Sequence, residues 1–217
     1  MKNNNLTEIV FILDRSGSMS GLETDTIGDY NTMLEKQQKE QGEAVVTTVL
    51  FDDQYEMLHD HADIKKICQM TDKQYYARGC TALLDAIGKT INHVGNRHKY
   101  APDNEVPEKT MVIITTDGYE NASREYALDK VRSMIEHQKE KFGWEFLFLG
   151  ANIDAVKTAA GFGISADRSV TYCADSEGTR TNFEAVNQAA CCMRMGDTLT
   201  GSWKEQVEEY MAKKKKK

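Results

Sequence analysis

The sequence predicts an α/β domain, a three-layer, doubly wound sheet that is mostly parallel, with one antiparallel edge strand and helices on both faces. Three observations carry this expectation. Two unbroken apolar runs, Ile9 to Leu13 and Met111 to Ile114, each end abruptly in a polar burst, Asp14-Arg15-Ser16-Gly17-Ser18 and Thr115-Thr116-Asp117-Gly118. Runs of β-branched and aromatic residues without alternation belong to central strands whose two faces are both covered. Helical periodicity alternates with these runs along the chain, the pattern of β-α-β units. One pair of strand-like runs is joined by a turn too short for a parallel crossover.

Taken in order, the first strand is followed by Ile27, Tyr30, Leu34 and the stretch Gln37 to Gln41, which trace a helical face ending at Gly42, a helix stop. Ala44 to Phe51 and Tyr55 to Asp60, separated by Asp52-Asp53-Gln54, read as a hairpin that supplies the antiparallel edge. Ala62 to Met70 is expected as a short helix, and Thr71 to Thr81 as an irregular surface loop. Leu83, Leu84, Ile87, Ile91 and Val94 then recur at helical spacing, which places Thr81 at or just before a helix amino terminus. Gly95 to Lys109 holds both prolines, Pro102 and Pro107, and reads as a mobile connection. Beyond the second apolar strand come a helix with Leu128, Val131, Ile135 and Phe142 on one face, a strand from Trp144 to Leu149, and a helix from Ala155 to Gly161. A strand from Ser169 to Cys173 and a helix opened by the capping box Thr181-Asn182-Phe183-Glu184 complete the pattern. Trp203, Val207 and Tyr210 read as a last amphipathic turn or two before Lys213 to Lys217, a solvated tail. With no repeat and no dividing linker, the expected organisation is one domain over 1–195 and a lysine-ended extension over 196–217.

Composition narrows the class. The 217 residues are 40% hydrophobic and 28% charged, as in a globular protein. The formal net charge of −7 argues against a general nucleic-acid binder, which needs a basic face, and suits a chain that gathers cations. A polar start, Met1-Lys2-Asn3-Asn4-Asn5, and the absence of any membrane-length apolar run lead to an expectation of a cytoplasmic protein without a membrane role. Cys68, Cys80, Cys173, Cys191 and Cys192 lack C-x-x-C spacing and suit neither a disulfide framework nor a zinc ribbon. The histidines 59, 61, 93, 98 and 137 are scattered and read as solvated imidazoles.

In a parallel α/β sheet, ligands bind where loops converge at the carboxyl ends of the strands. Three loops put oxygen donors at that edge. Asp14, Ser16 and Ser18 follow the first strand, with Gly17 allowing a sharp turn; Thr81 heads a helix; Asp117 follows the second apolar strand. A plain helix cap explains Asp14 or Ser18 alone but not the convergence of all three loops. Hydroxyls and carboxylates favour magnesium, manganese or calcium over zinc or copper. With only two carboxylates among the donors, such a cation keeps much of its charge and can accept a further carboxylate from outside.

Asp14-x-Ser16-x-Ser18, Thr81 in Gly79-Cys80-Thr81-Ala82-Leu83, and Asp117 in Thr116-Asp117-Gly118 together resemble the metal-ion-dependent adhesion site of von Willebrand factor type A domains. The resemblance spans about residues 6–195 and implies a Rossmann-like fold and a protein of prokaryotic, intracellular type. It further implies a divalent-metal-dependent module that binds an acidic group of a partner protein. Ser16, Ser18 and Thr81 would be direct ligands, with Asp14 and Asp117 ligating directly or through water. Ala82 stands where many relatives carry proline, a change that bears on loop rigidity. Asp85 is either a support for the loop or a helix-surface carboxylate. Ser20, Gly21, Tyr119, Glu120 and Asn121 are expected to rim the site and select the ligand, although Asn121 also suits a helix cap.

Two other classes stay open. One is a subunit or regulator of an ATPase, phage-related or stress-response assembly; the chain has no G-x-x-x-x-G-K-[ST] loop of its own, and Gly161-Phe162-Gly163 is no substitute. The other is a phosphotransferase of the haloacid dehalogenase type, whose D-x-D nucleophile motif is broken here by Ser16. The expectation is therefore a binding protein and not an enzyme.

Overall fold

Alternate residues of the central strands face opposite helical layers, and this alternation builds two cores on one sheet. The computed structural model describes residues 3–216, so Met1 and Lys2 of the polar start and Lys217 of the lysine run lie outside the described residues. The elements are β1 (Asn3–Asp14), α1 (Glu23–Lys39), β2 (Glu43–Phe51), β3 (Tyr55–Asp63), α2 (Leu83–Tyr100), β4 (Pro107–Thr116), α3 (Leu128–Phe142), β5 (Glu145–Ala151), α4 (Ala155–Gly161), β6 (Ser169–Tyr172), α5 (Ser176–Met195) and α6 (Glu205–Lys215). The strands lie in the order β3-β2-β1-β4-β5-β6, all parallel except the antiparallel edge pair β2 and β3. The doubly wound architecture and the antiparallel edge expected from the sequence are both present.

Ile9, Phe11 and Leu13 pack with Tyr30 and Leu34 of α1 and Phe183 and Val186 of α5. Val10 and Ile12, one residue out of phase, pack with Ile87 and Ile91 of α2 and Val131 and Ile135 of α3. Each such side chain contributes roughly 1.5–3 kcal/mol by leaving water. Leu128 and Phe142, at the two ends of α3, are about half exposed (44% and 50%). Gly143 and Gly196 end α3 and α5 in the left-handed conformation, the arrangement in which a residue without Cβ closes a helix.

Three local expectations are corrected. The helix expected over Ala62 to Met70 does not form: β3 continues to Asp63 because its pairing with β2 persists at Val46↔Ala62 and Val45↔Asp63. Ile64 and Met70 enter the α1 core from a loop, and the Asn31 side chain pins Met70 through both its backbone groups. Most of Gly95 to Lys109 is ordered structure, with α2 running to Tyr100 and β4 opening at Pro107, a strand-first position that proline tolerates. The amino terminus of α5 is capped by Asp175, which accepts the Gly178 N–H at 2.8 Å; Thr181 lies inside the helix and bonds the Glu177 carbonyl. Within 196–217, Leu199, Trp203 and Val207 belong to the α1-side core, and α6 carries Lys213 to Lys215, with Lys214 2.8 Å from Asp175.

Nor are the histidines a set of solvated rings. Glu8, fully buried on β1, accepts a hydrogen bond from Thr47 (2.7 Å) and lies 2.6 Å from His98 Nε2 and 3.4 Å from His61 Nδ1. Burial pushes its carboxyl up, but the two imidazoles more than offset this and hold it near 2, below its ordinary 4.5. A carboxylate lowered by folding stabilises the protein above its unfolded pKa and loses that contribution as pH falls through the folded value. Urea unfolding is expected to show a contribution from Glu8 on the order of 3 kcal/mol at pH 6 that disappears between about pH 4.5 and pH 2, with Glu8→Gln lacking this slope.

Candidate metal centre

The strand order reverses between β1 and β4, and crevices at such switch points are where doubly wound sheets bind ligands. Asp14 is the last residue of β1, and Thr116 the last of β4, in neighbouring register after the pair Leu13↔Thr115. Asp14 accepts the Ser16 N–H on Oδ1 (2.7 Å) and the Thr116 hydroxyl on Oδ2 (2.5 Å). The Ser16 and Ser18 hydroxyls are 3.1 Å apart, and Ser18 donates to Asp117 Oδ1 at 2.5 Å. A Cβ built on Gly118 would lie 3.4 Å from both Ser18 Oγ and Thr81 Oγ1, so the third loop meets the other two there. All five donors named from the sequence thus come together. Asp14, Ser16, Thr81 and Asp117 are buried and Ser18 stands at the exposed mouth.

The electrostatics of this cluster are unbalanced. Burial raises Asp14 to about 6, against hydrogen bonds from Thr116 and Ser16, and the nearby charge of Asp117 pushes the same way. Burial likewise raises Asp117, against its bond from Ser18. Among the described residues no basic side chain bonds either carboxylate, and Asp117 Oδ2 is buried without a hydrogen-bond partner. A hard dication fits such a place: it would take the orphaned oxygen, and the hydroxyls are ligands it accepts. Among the described residues no three His, Cys, Asp or Glu side chains form a metal-binding group, and the donor set here is of another kind, two carboxylates with three hydroxyls.

The loops are fixed by buried charge. Arg15, fully buried, donates from Nε to Asp52 Oδ2 (2.9 Å) and from Nη1 to the Gln74 carbonyl (3.0 Å), and also meets Glu56 at 2.8 Å. Arg78 donates to the same Asp52 oxygen at 2.7 Å, and the Asp52 carbonyl accepts the Ala82 N–H at 2.9 Å. This one network joins the Asp14 loop, the hairpin turn and the Thr81 loop. Burial would raise the Asp52 carboxyl, but bonds from Arg78, the Gln54 N–H and Arg15 bring it below its usual range. The Tyr75 hydroxyl donates to the Asp14 carbonyl at 2.6 Å. Sequence reasoning passed over Arg15, Asp52 and Tyr75. The one available signal was an arginine placed inside a strand-end motif.

Asp85 proves to be the loop support. It accepts the N–H groups of Arg124, Glu125 and Tyr126, each at 2.9 Å, and these hold its carboxyl low despite burial. Glu120 and Asn121, expected at the rim, instead lock the Asp117 loop onto the start of α2. Glu120 accepts the N–H groups of Leu84, Ala122 and Ser123, while Asn121 exchanges two hydrogen bonds with the Thr81 backbone. Ser20, Gly21 and Tyr119 are exposed, and Tyr119 lines an open hollow of ≈ 700 Å³ with Tyr172 and Lys215.

Comparison of the whole structure with solved ones decides the fold. The von Willebrand factor domain of the type V pili tip protein Mfa5 from Porphyromonas gingivalis matches with a TM-score of 0.64 at 10% identity, over 90% of this chain and 97% of that one. A von Willebrand factor type A protein from Catenulispora acidiphila matches with a TM-score of 0.56 at 15% identity, over 88% of this chain and 43% of the other. The fold is that of von Willebrand factor type A domains. Proximal thread matrix protein 1 from the mussel byssus, solved with a zinc-occupied metal-ion-dependent adhesion site, shares this type A fold at a TM-score of 0.57 and 18% identity, over 88% of this chain and 47% of that one. The chain spans less than half the length of these last two proteins. The sequence matches no family model and no curated protein.

Because Arg15 is fully buried and bonds Asp52 and the Gln74 carbonyl, while Arg78 would remain on Asp52, Arg15→Ala is expected to lower stability by roughly 2–3 kcal/mol, the loss of charge-assisted hydrogen bonds in the interior. Urea midpoints check this. Replacing Arg15 and Asp52 together by apolar residues of similar volume is expected to recover part of the loss.

Proposed function

We propose that the chain is a divalent-metal-dependent protein-binding module that engages an acidic group of a partner at the Asp14, Ser16, Ser18, Thr81 and Asp117 cluster. The observation that carries this is the pair of buried carboxylates with no basic partner, one of whose oxygens, Asp117 Oδ2, is unpartnered. Asp14 holds the turn through Ser16 and the neighbouring strand through Thr116, so that both hydroxyl-bearing loops are set before a ligand arrives. Ser18 carries the link to Asp117 and is the exposed member of the set. A bound dication supplies an electrophilic position that a carboxylate from outside completes. Magnesium is the proposed ion, with manganese or calcium as substitutes, on the hardness of the oxygen donors. The zinc-occupied site of the byssus protein supports metal binding in this type A fold, and the pilus and byssus proteins support a protein partner.

A binding role is favoured over phosphoryl transfer because both Asp14 oxygens are engaged by Ser16 and Thr116, an arrangement that suits a scaffold and not a nucleophile. Five free thiols, with Cys68 and Cys80 exposed, support the proposal of a reducing compartment, the cytoplasm. No helix of the described residues is long and apolar enough to cross a membrane.

Asp117→Ala tests the proposal. Magnesium at about a hundredfold over its dissociation constant is expected to raise the wild-type melting temperature by roughly 5–10 °C. The variant is expected to lose this rise while melting, in chelator, at or above the wild-type temperature, because it sheds an unpartnered buried oxygen. Scanning fluorimetry reads both. A metal response that survives in the folded variant contradicts the site.

A further inference from the structure

Threonines inside helices ordinarily turn their hydroxyl back to the carbonyl four residues earlier, as Thr90 does to Ala86 (2.7 Å) and Thr181 to Glu177 (2.6 Å). Thr26 of α1 and Thr179 of α5 do not. Their hydroxyls, the hydroxyl of Thr115 on β4 and the side-chain oxygen of Asn182 on α5 are all buried without a hydrogen-bond partner. The four residues are 4%, 3%, 6% and 1% exposed in that order. Thr26 Oγ1 lies toward the Tyr75 hydroxyl without meeting hydrogen-bond geometry, and Tyr75 spends its proton on the Asp14 carbonyl.

All four residues line one cavity beneath the Asp14 loop, closed on its other sides by Leu13, Met19 and Phe183 among others. The cavity offers ≈ 10 Å³ to a water-sized sphere, about the room one water molecule requires. Four unpartnered polar groups lining one cavity would cost an amount comparable with the stability of a whole domain. A water molecule donates two hydrogen bonds and accepts two, and the three hydroxyls can each play either part toward it. We infer that this cavity binds a single water molecule as a permanent part of the fold, held by Thr26, Thr115, Thr179 and Asn182. The water ties α1 and α5 to the end of β4, directly behind the strand ends that carry the candidate metal ligands. Asp14 also lines the cavity, but both of its carboxylate oxygens are already engaged by Ser16 and Thr116. The groups left to hold an occupant are neutral and select water over a cation, and polar lining distinguishes the cavity from a dry packing void.

The test rests on a difference of sign. Thr115→Val and Thr179→Val keep the side-chain shape and remove the hydroxyl. If the water is bound, each variant deprives it of a partner and is expected to melt about 2–4 °C lower than the wild type. If the hydroxyls have no partner at all, removing them stabilises, and an unchanged or raised melting temperature overturns the inference. Water–protein cross-relaxation by NMR on the wild-type chain supplies the second readout, independent of whether the variants fold. A long-lived water signal to the Asn182 side-chain amide or the Thr115 hydroxyl is expected, and its absence contradicts the proposal. Wild-type stability that rises with sodium but not with choline at equal ionic strength would assign the cavity to a monovalent cation and likewise overturn it.

Discussion

Two carboxylates buried side by side at the switch point of the sheet, with no basic side chain between them, are the constraint on which the rest of this structure turns. Asp14 and Asp117 are delivered there by adjacent parallel strands, and burial holds both carboxyls above their ordinary range. An isolated domain gains nothing from such an arrangement, since desolvated like charges oppose folding. It is the observation behind the proposed cation, for which three hydroxyls would complete the donor set.

Holding that place open demands rigid loops, and the rigidity comes from paired and hydrogen-bonded charges. Arg15 and Arg78 converge on Asp52, Asp85 collects three backbone N–H groups, and Glu120 collects three more. The contrast is within one edge of one sheet: Asp52 and Asp85, saturated with donors, sit low, while Asp14 and Asp117, buried without a basic partner, sit high. Sites of this kind depend on supports that fix the orientation of each ligand. Glu120 and Asn121 belong to that support, which leaves Ser20, Gly21 and Tyr119 as the exposed border.

Much of the fold and the central donors could be read from local pattern. Ile9 to Leu13 and Met111 to Ile114 are central strands because a parallel sheet covered on both faces demands unbroken apolar runs, and the short Asp52-Asp53-Gln54 turn can only make a hairpin. What stayed hidden depends on residues far apart in the chain. Nothing local to Glu8 announces His98, ninety positions on, and nothing in the hairpin turn announces that Asp52 will meet Arg15 and Arg78. The Thr181 to Glu184 pattern matched a capping box by coincidence, and the true cap, Asp175, was obscured by the polar residues around it. Ala62 to Met70 has helical composition, but the pairing of β3 with β2 overrides local preference.

The central claim is that one hard cation occupies the point shared by the three loops. Anomalous diffraction from crystals grown with manganese addresses it most directly, because it locates the ion without reference to stability or partner. The account predicts a single strong peak among Ser16, Ser18, Thr81, Asp14 and Asp117. Crystals at saturating manganese with no peak there, or with the ion held elsewhere on the surface, would contradict it.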